Sequence, residues 1–105
     1  MSEIHPTFEE LEENIIQWAR ERGILEKSDP KSQLLKTVSE LGELADGVLH
    51  DDKEEIVDGI GDAIVTIILL AELSGYSTVG CLASAYGIIK DRKGSMINGV
   101  FKKDE

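Results

Sequence analysis

Apolar residues recur at three- and four-residue steps over four stretches of this chain, the spacing of one buried helix face, and no alternating strand pattern of useful length interrupts them. The first stretch covers 8–22, where Phe8, Leu11, Ile15, Trp18 and Ala19 form a stripe. Thr7, with Glu10 three residues on, reads as a capping box that satisfies free backbone N–H groups, and Gly23 ends the helix. The second covers 30–49. Asp29 caps it, Pro30 suits its first turn, and Leu34, Leu35, Val38, Leu41, Ala45, Val48 and Leu49 line one side. The third covers 53–73, capped by Asp52 with Glu55 three residues later and ended by Ser74-Gly75. The fourth covers 78–92 behind Ser77, with Val79, Leu82, Ala83, Tyr86 and Ile89 facing inward. In the tail, Gly94 and Gly99 predict turns, and Val100 and Phe101 are expected to pack back on the helices.

The third stretch changes character midway. Its first half is amphipathic, whereas AIVTIILLAEL is apolar nearly all round and must be covered on several sides. An all-α bundle of about four helices follows, one domain over 1–105, oligomerising through its central helices.

Composition narrows the function. With 21 acidic and 11 basic residues the net charge is −10, which disfavours a nucleic-acid polymer as partner, because phosphate binding needs Lys and Arg to replace counterions. The single cysteine, Cys81, forms no internal disulfide and is expected to be a buried thiol. His5 and His50 give no zinc pattern. The start, 1–6, lacks the basic and apolar runs of a signal peptide, and the apolar stretch 63–73 is too short to span a membrane and contains Glu72. No membrane association and a cytoplasmic location are the expectation.

The placement of the acids is more informative than their number. Glu40 and Glu43 lie three apart, one turn along one face of the second helix, beside Leu41 and Leu44. On the third helix Asp58 and Asp62 lie four apart, and Glu55 precedes Asp58 by three. Asp62 opens directly onto the apolar run, where a carboxylate is costly unless a positive charge meets it, and no Lys or Arg lies between Asp58 and Leu73. The short turn at His50, Asp51 and Asp52 makes the two helices antiparallel neighbours and brings the acids together. Such carboxylates suit a hard cation such as Mg²⁺. The bland reading makes Glu40 and Glu43 solvated acids, Glu55 a capping residue and Glu54 surface.

With these residues in place, the segment SELGELADGVLHDDKEEIVDGIGDAIVTIILLAELSG resembles the core of the MazG-like, all-α nucleoside triphosphate pyrophosphohydrolases. That family carries E-x-x-E on one helix and E-x-x-D on the next. Glu40 and Glu43 match the first pair, and Asp62 the last position. QWARERGIL around Trp18 and the segment IKDRKGSMINGVFKK resemble the flanks of small members. Two positions depart from the pattern: Gly59 stands where the family has Glu, with Asp58 as the substitute ligand, and Ser39 stands where some relatives carry a third Glu.

The resemblance implies an enzyme that converts a (deoxy)nucleoside triphosphate and water into the monophosphate and pyrophosphate, in nucleotide-pool housekeeping. It implies Mg²⁺, with Mn²⁺ as the alternative, held by Glu40, Glu43, Asp58 and Asp62 and by Glu55 as a further candidate. Glu40 and Glu43 are the candidate catalytic groups. Lys90, Arg92 and Lys93 are candidates for the phosphates, Asn98 for base or sugar, and Trp18 for stacking on the base. A homodimer or homotetramer is the implied assembly. The rival reading, motivated by Ser39 and Gly59, is a non-catalytic nucleotide- or metal-binding oligomerisation module.

Overall fold

The computed structural model describes residues 5–104; residues 1–4, part of the segment read for a signal peptide, lie outside the described residues. The order is α1 (Phe8–Glu21), α2 (Ile24–Lys27), α3 (Pro30–Leu49), α4 (Lys53–Leu73), α5 (Thr78–Ile89), β1 (Gly94–Ile97) and β2 (Val100–Lys103). The four predicted caps are present. The side chains of Thr7, Asp29, Asp52 and Ser77 accept from the backbone N–H groups of Glu10, Ser32, Glu55 and Gly80. Each satisfies a donor that the helix itself leaves free.

α3 and α4 form the antiparallel hairpin around which the rest is arranged. Their register follows from three close approaches: Thr37 to Thr66, Leu44 to Gly59 and Gly47 to Glu55. Two glycines set the interhelical distance. A methyl group at Gly59 would lie 3.0 Å from Leu44 Cβ and 3.2 Å from its Cα, and one at Gly47 would lie 2.8 Å from Glu55 Cγ. Beneath them Thr37 and Thr66, both buried, place their hydroxyl oxygens 2.9 Å apart. Thr37 Oγ1 is also 2.8 Å from the Gln33 carbonyl and Thr66 Oγ1 is 2.7 Å from that of Ala63.

α1 packs against α4 and the start of α5. Its buried acid Glu12 joins them, its carboxylate accepting from the Val79 N–H at 3.1 Å and lying 3.3 Å from Ser77 Oγ. Among the described residues, Ala19, Ala63, Ile68 and Leu69 are the buried hydrophobic ones.

Several expectations are corrected. The tail is a two-stranded antiparallel hairpin in which Met96 pairs with Phe101 and Ile97 with Val100. Asn98 (φ 52°) and Gly99 (φ 82°) supply the two left-handed residues that such a tight hairpin turn demands. The Asn-Gly pair was the signal, and four-residue strands were too short for alternation to show. Val100 and Phe101 stay exposed instead of packing back on the helices. The last helix stops at Ile89, not 92, and α2 is a further single turn. Cys81 is exposed, not buried. Leu82, Tyr86 and Ile89 are also exposed, as are Leu34, Leu35, Val38, Leu41, Val48 and Leu49 on α3.

These exposures share one cause. The chain has an accessible surface of 8322 Å², against about 5,800 Å² for a compact chain of this size. Its radius of gyration is 16.2 Å, against about 13 Å for a compact domain of this length. The stripes read from the sequence are genuine apolar faces, but one copy of the chain does not cover them.

Candidate metal and nucleotide site

The acids converge on the α3–α4 hairpin. Glu40 is 7% exposed, facing the seam from the middle of α3. A carboxylate held that far from water needs a counter-charge. Lys36, one turn earlier, supplies it: its Nζ is 3.1 Å from the Glu40 carboxylate. The ammonium is held above its ordinary pKa, first by its hydrogen bond to Glu40, then by the Glu40 charge, and further by Glu43 and Asp62. Asp62 is exposed, so the desolvation that its place before the apolar run suggested does not arise. Sequence reading passed over Lys36, although a Lys four residues before a Glu is a recognisable helical pair.

Glu43 lies at the exposed end of this group. Its carboxyl is held above the ordinary value, first by its hydrogen bond to Glu40, then by the Glu40 charge, then by burial and by the charge of Glu55. Two carboxylates sharing one region disfavour each other's ionisation. Beside it Glu43, Asp46, Gly47, His50, Asp52 and Glu55 line an open cleft of about 320 Å³. At its floor, Gly47 lets α3 approach Glu55.

The position opposite α3 is Gly59, against Leu44. Asp58, one residue away, lies about 100° further round the helix and is exposed. Lys36 feels the charges of Glu40, Glu43 and Asp62, and Glu43 those of Glu40 and Glu55. Among the described residues no three His, Cys, Asp or Glu side chains close on a point as a metal shell.

The nucleotide candidates lie elsewhere. Trp18, on α1, is 43% exposed, its ring covered by the Arg22 guanidinium at 5.8 Å. Lys90, Arg92 and Lys93 follow α5, and Asn98 is in the hairpin turn. α5 packs on α1 and α4 through its first turn, and every residue from 80 to 93 is exposed. Within one chain these cations are not drawn to the acids. Among the described residues no helix is long and apolar enough to cross a membrane.

Comparison with known proteins places this architecture. No protein-family model matches the chain. It is 38% identical over 72 residues to an uncharacterized 18.2 kDa protein from the rep-hol intergenic region of Haemophilus phage HP1 (strain HP1c1). That match takes in 69% of this chain and 44% of the phage protein, so the chain spans less than half the length of this curated relative. Among solved structures it matches the Cyanophage S-2L MazG-like pyrophosphohydrolase bound to dGDP and three catalytic Mn²⁺ ions per active site. The TM-score is 0.70 at 20% identity, over 96% of this chain and all of that one. The chain therefore has the all-α fold of the MazG-like pyrophosphohydrolases.

Proposed function

We propose that this protein hydrolyses a (deoxy)nucleoside triphosphate to the monophosphate and pyrophosphate, using Mg²⁺ or in its place Mn²⁺. What supports the reading is the placement of Glu40 and Glu43 on α3 and of Asp62 on the α4 helix packed against it, in a fold shared with a pyrophosphohydrolase that binds dGDP and Mn²⁺.

The donor set fits a hard divalent cation, because it consists of carboxylate oxygens. Glu40, Glu43 and Asp62 would hold the ion, with Glu55 and Asp58 as the further ligands. When bound, it supplies charge neutralisation and polarisation at the phosphates. In the reaction a water oxygen bonds to the α-phosphorus and the bond from that phosphorus to the bridging oxygen breaks, releasing pyrophosphate. Glu40 or Glu43 takes the water proton. Lys36 remains beside the phosphates as a fixed positive charge. Lys90, Arg92 and Lys93 bind phosphate oxygens, Asn98 the base or sugar, and Trp18 stacks on the base. Removal of unwanted nucleotides from the cytoplasmic pool, by a homodimer or homotetramer, is the role this chemistry suits.

A second reading has its own support. Lys36 already neutralises Glu40, and Gly59 leaves the seam one carboxylate short, as expected of a non-catalytic binding module. Pyrophosphate release from a panel of NTPs and dNTPs with Mg²⁺ separates the two. Matching monophosphate and pyrophosphate, abolished by Glu43→Gln, supports hydrolysis. A folded, Mg²⁺-binding protein that releases nothing supports the module.

A further inference from the structure

Position 12 lies on the face that α1 turns to the bundle, one turn after Phe8 and one turn before Ile15 and Ile16. An apolar residue would serve there as packing alone. The chain instead places Glu12 at this position, and the residue is only 9% exposed. In the sequence it is indistinguishable from its solvated neighbours Glu9, Glu10 and Glu13. A carboxylate so far from water is costly unless its lone pairs and its charge are both met.

One end of α5 meets both. The Val79 N–H donates to a Glu12 carboxylate oxygen at 3.1 Å, and the Ser77 hydroxyl lies 3.3 Å from the same oxygen. That hydroxyl also accepts from the Gly80 N–H at 3.2 Å, so its oxygen caps α5 while its proton is left for Glu12. Two first-turn N–H groups of α5 are thus tied to α1, one directly and one through Ser77. The other charged side chains lining the cleft beside Glu12 are Glu9, Glu13 and Glu72, all acids, and α5 itself carries no charge. The positive end of the α5 dipole is therefore what meets the Glu12 charge.

α5 depends on this end for its direction. It packs on α1 and α4 through its first turn, and every residue from 80 to 93 is exposed. Its 12 residues span about 18 Å, so a tilt of about 20° at the first turn would carry Lys90 about 6 Å. Misplacing a binding group by about 1 Å is enough to cost a large part of a rate.

We infer that Glu12 is a positioning residue, whose carboxylate clasps the N-terminus of α5 and fixes the direction in which that helix carries Lys90, Arg92 and Lys93. The clasp itself stands on the contacts above. Its consequence for hydrolysis rests on the proposed reading that these cations bind the phosphates.

Distances between two spin labels test the clasp. One label sits at Glu26→Cys on α2 and the other at Ile88→Cys near the far end of α5, both positions being exposed, with Cys81→Ser removing the native thiol. Labelled chain is diluted in unlabelled chain so that only distances within one copy are read. With Glu12 intact, one narrow distance distribution is expected. Glu12→Leu fills the same space but accepts no hydrogen bond, and should broaden or shift that distribution by several ångströms at unchanged helix content. Glu12→Gln, which keeps one acceptor oxygen, should fall between the two. A broad distribution with Glu12 intact overturns the clasp, as does an unaltered one in Glu12→Leu or, should that variant fail to fold, in Glu12→Gln. In hydrolysis assays Glu12→Leu should lower kcat/KM at least about tenfold, with the Mg²⁺ response of thermal melts unchanged. An unchanged kcat/KM in a chain whose α5 has loosened overturns the positioning role. A wild type that hydrolyses nothing counts against the catalytic reading alone, and the distances still decide the clasp.

Discussion

Lys36 and Glu40 form an ion pair of 3.1 Å in which the lysine is mostly solvated and the glutamate almost wholly buried. The asymmetry shows what the pair does. The exposed ammonium gains little from pairing, whereas the buried carboxylate would be strained without it. Lys36 thereby supplies the counter-charge of the buried Glu40 carboxylate.

Replacing Lys36 by Met keeps the stem and removes the charge. Without Mg²⁺ this variant should melt below wild type. Its Mg²⁺ affinity should rise roughly fivefold, since one like charge near the ion is gone. Thermal melts at increasing Mg²⁺ check both, and an unchanged Mg²⁺ response would show that the ion binds away from Glu40.

The raised Glu43 carboxyl gives a pH dependence with a definite sign. The folded chain holds this proton more tightly than the unfolded chain, so its contribution to stability improves as pH falls from neutral into the carboxylate range. Asp29, lowered by its hydrogen bonds to Ser32, contributes with the opposite sign. Comparing wild type with Glu43→Gln isolates the first effect. The variant should be more stable at neutral pH, and the difference should close on acidification. Mg²⁺ should reverse the ranking at neutral pH, because it binds the ionised wild-type group.

The helical glycines separate into two kinds. At Gly59 a methyl group meets Leu44, including its backbone, whereas at Gly42 it meets nothing within 4 Å. Gly59→Ala should cost about 1–3 kcal/mol through overpacking. Gly42→Ala should gain about 0.5–1 kcal/mol, the ordinary helical advantage of alanine. Urea denaturation of the two variants should place them on opposite sides of wild type.

The buried threonines offer a double-mutant cycle. Thr37 and Thr66 share two hydroxyl protons over three oxygen contacts. Thr37→Val or Thr66→Val alone should cost about 1 kcal/mol, by leaving its partner less well satisfied. The double variant should lie close to a single variant and short of the sum. Strict additivity would mean that the hydroxyls act only through their own helices.

The sequence by itself determined the local structure. Caps and three- and four-residue spacing are properties of neighbouring residues, so the starts of α1, α3, α4 and α5 at Phe8, Pro30, Lys53 and Thr78 were readable from them. The turn at Asn98-Gly99 was equally readable, although strands of four residues concealed it. The packing of α3 against α4 followed from the short loop, which makes antiparallel neighbours of the two helices. What the tertiary structure alone decided was rotation and cover. It turned Gly59, not Asp58, toward α3, because only a residue without a side chain fits against Leu44. It left Asp62 exposed at the mouth of the apolar run, where the sequence alone suggested a desolvated carboxylate. It also left the apolar faces of α3 and α5 open, since periodicity shows that a face must be buried but not which surface buries it.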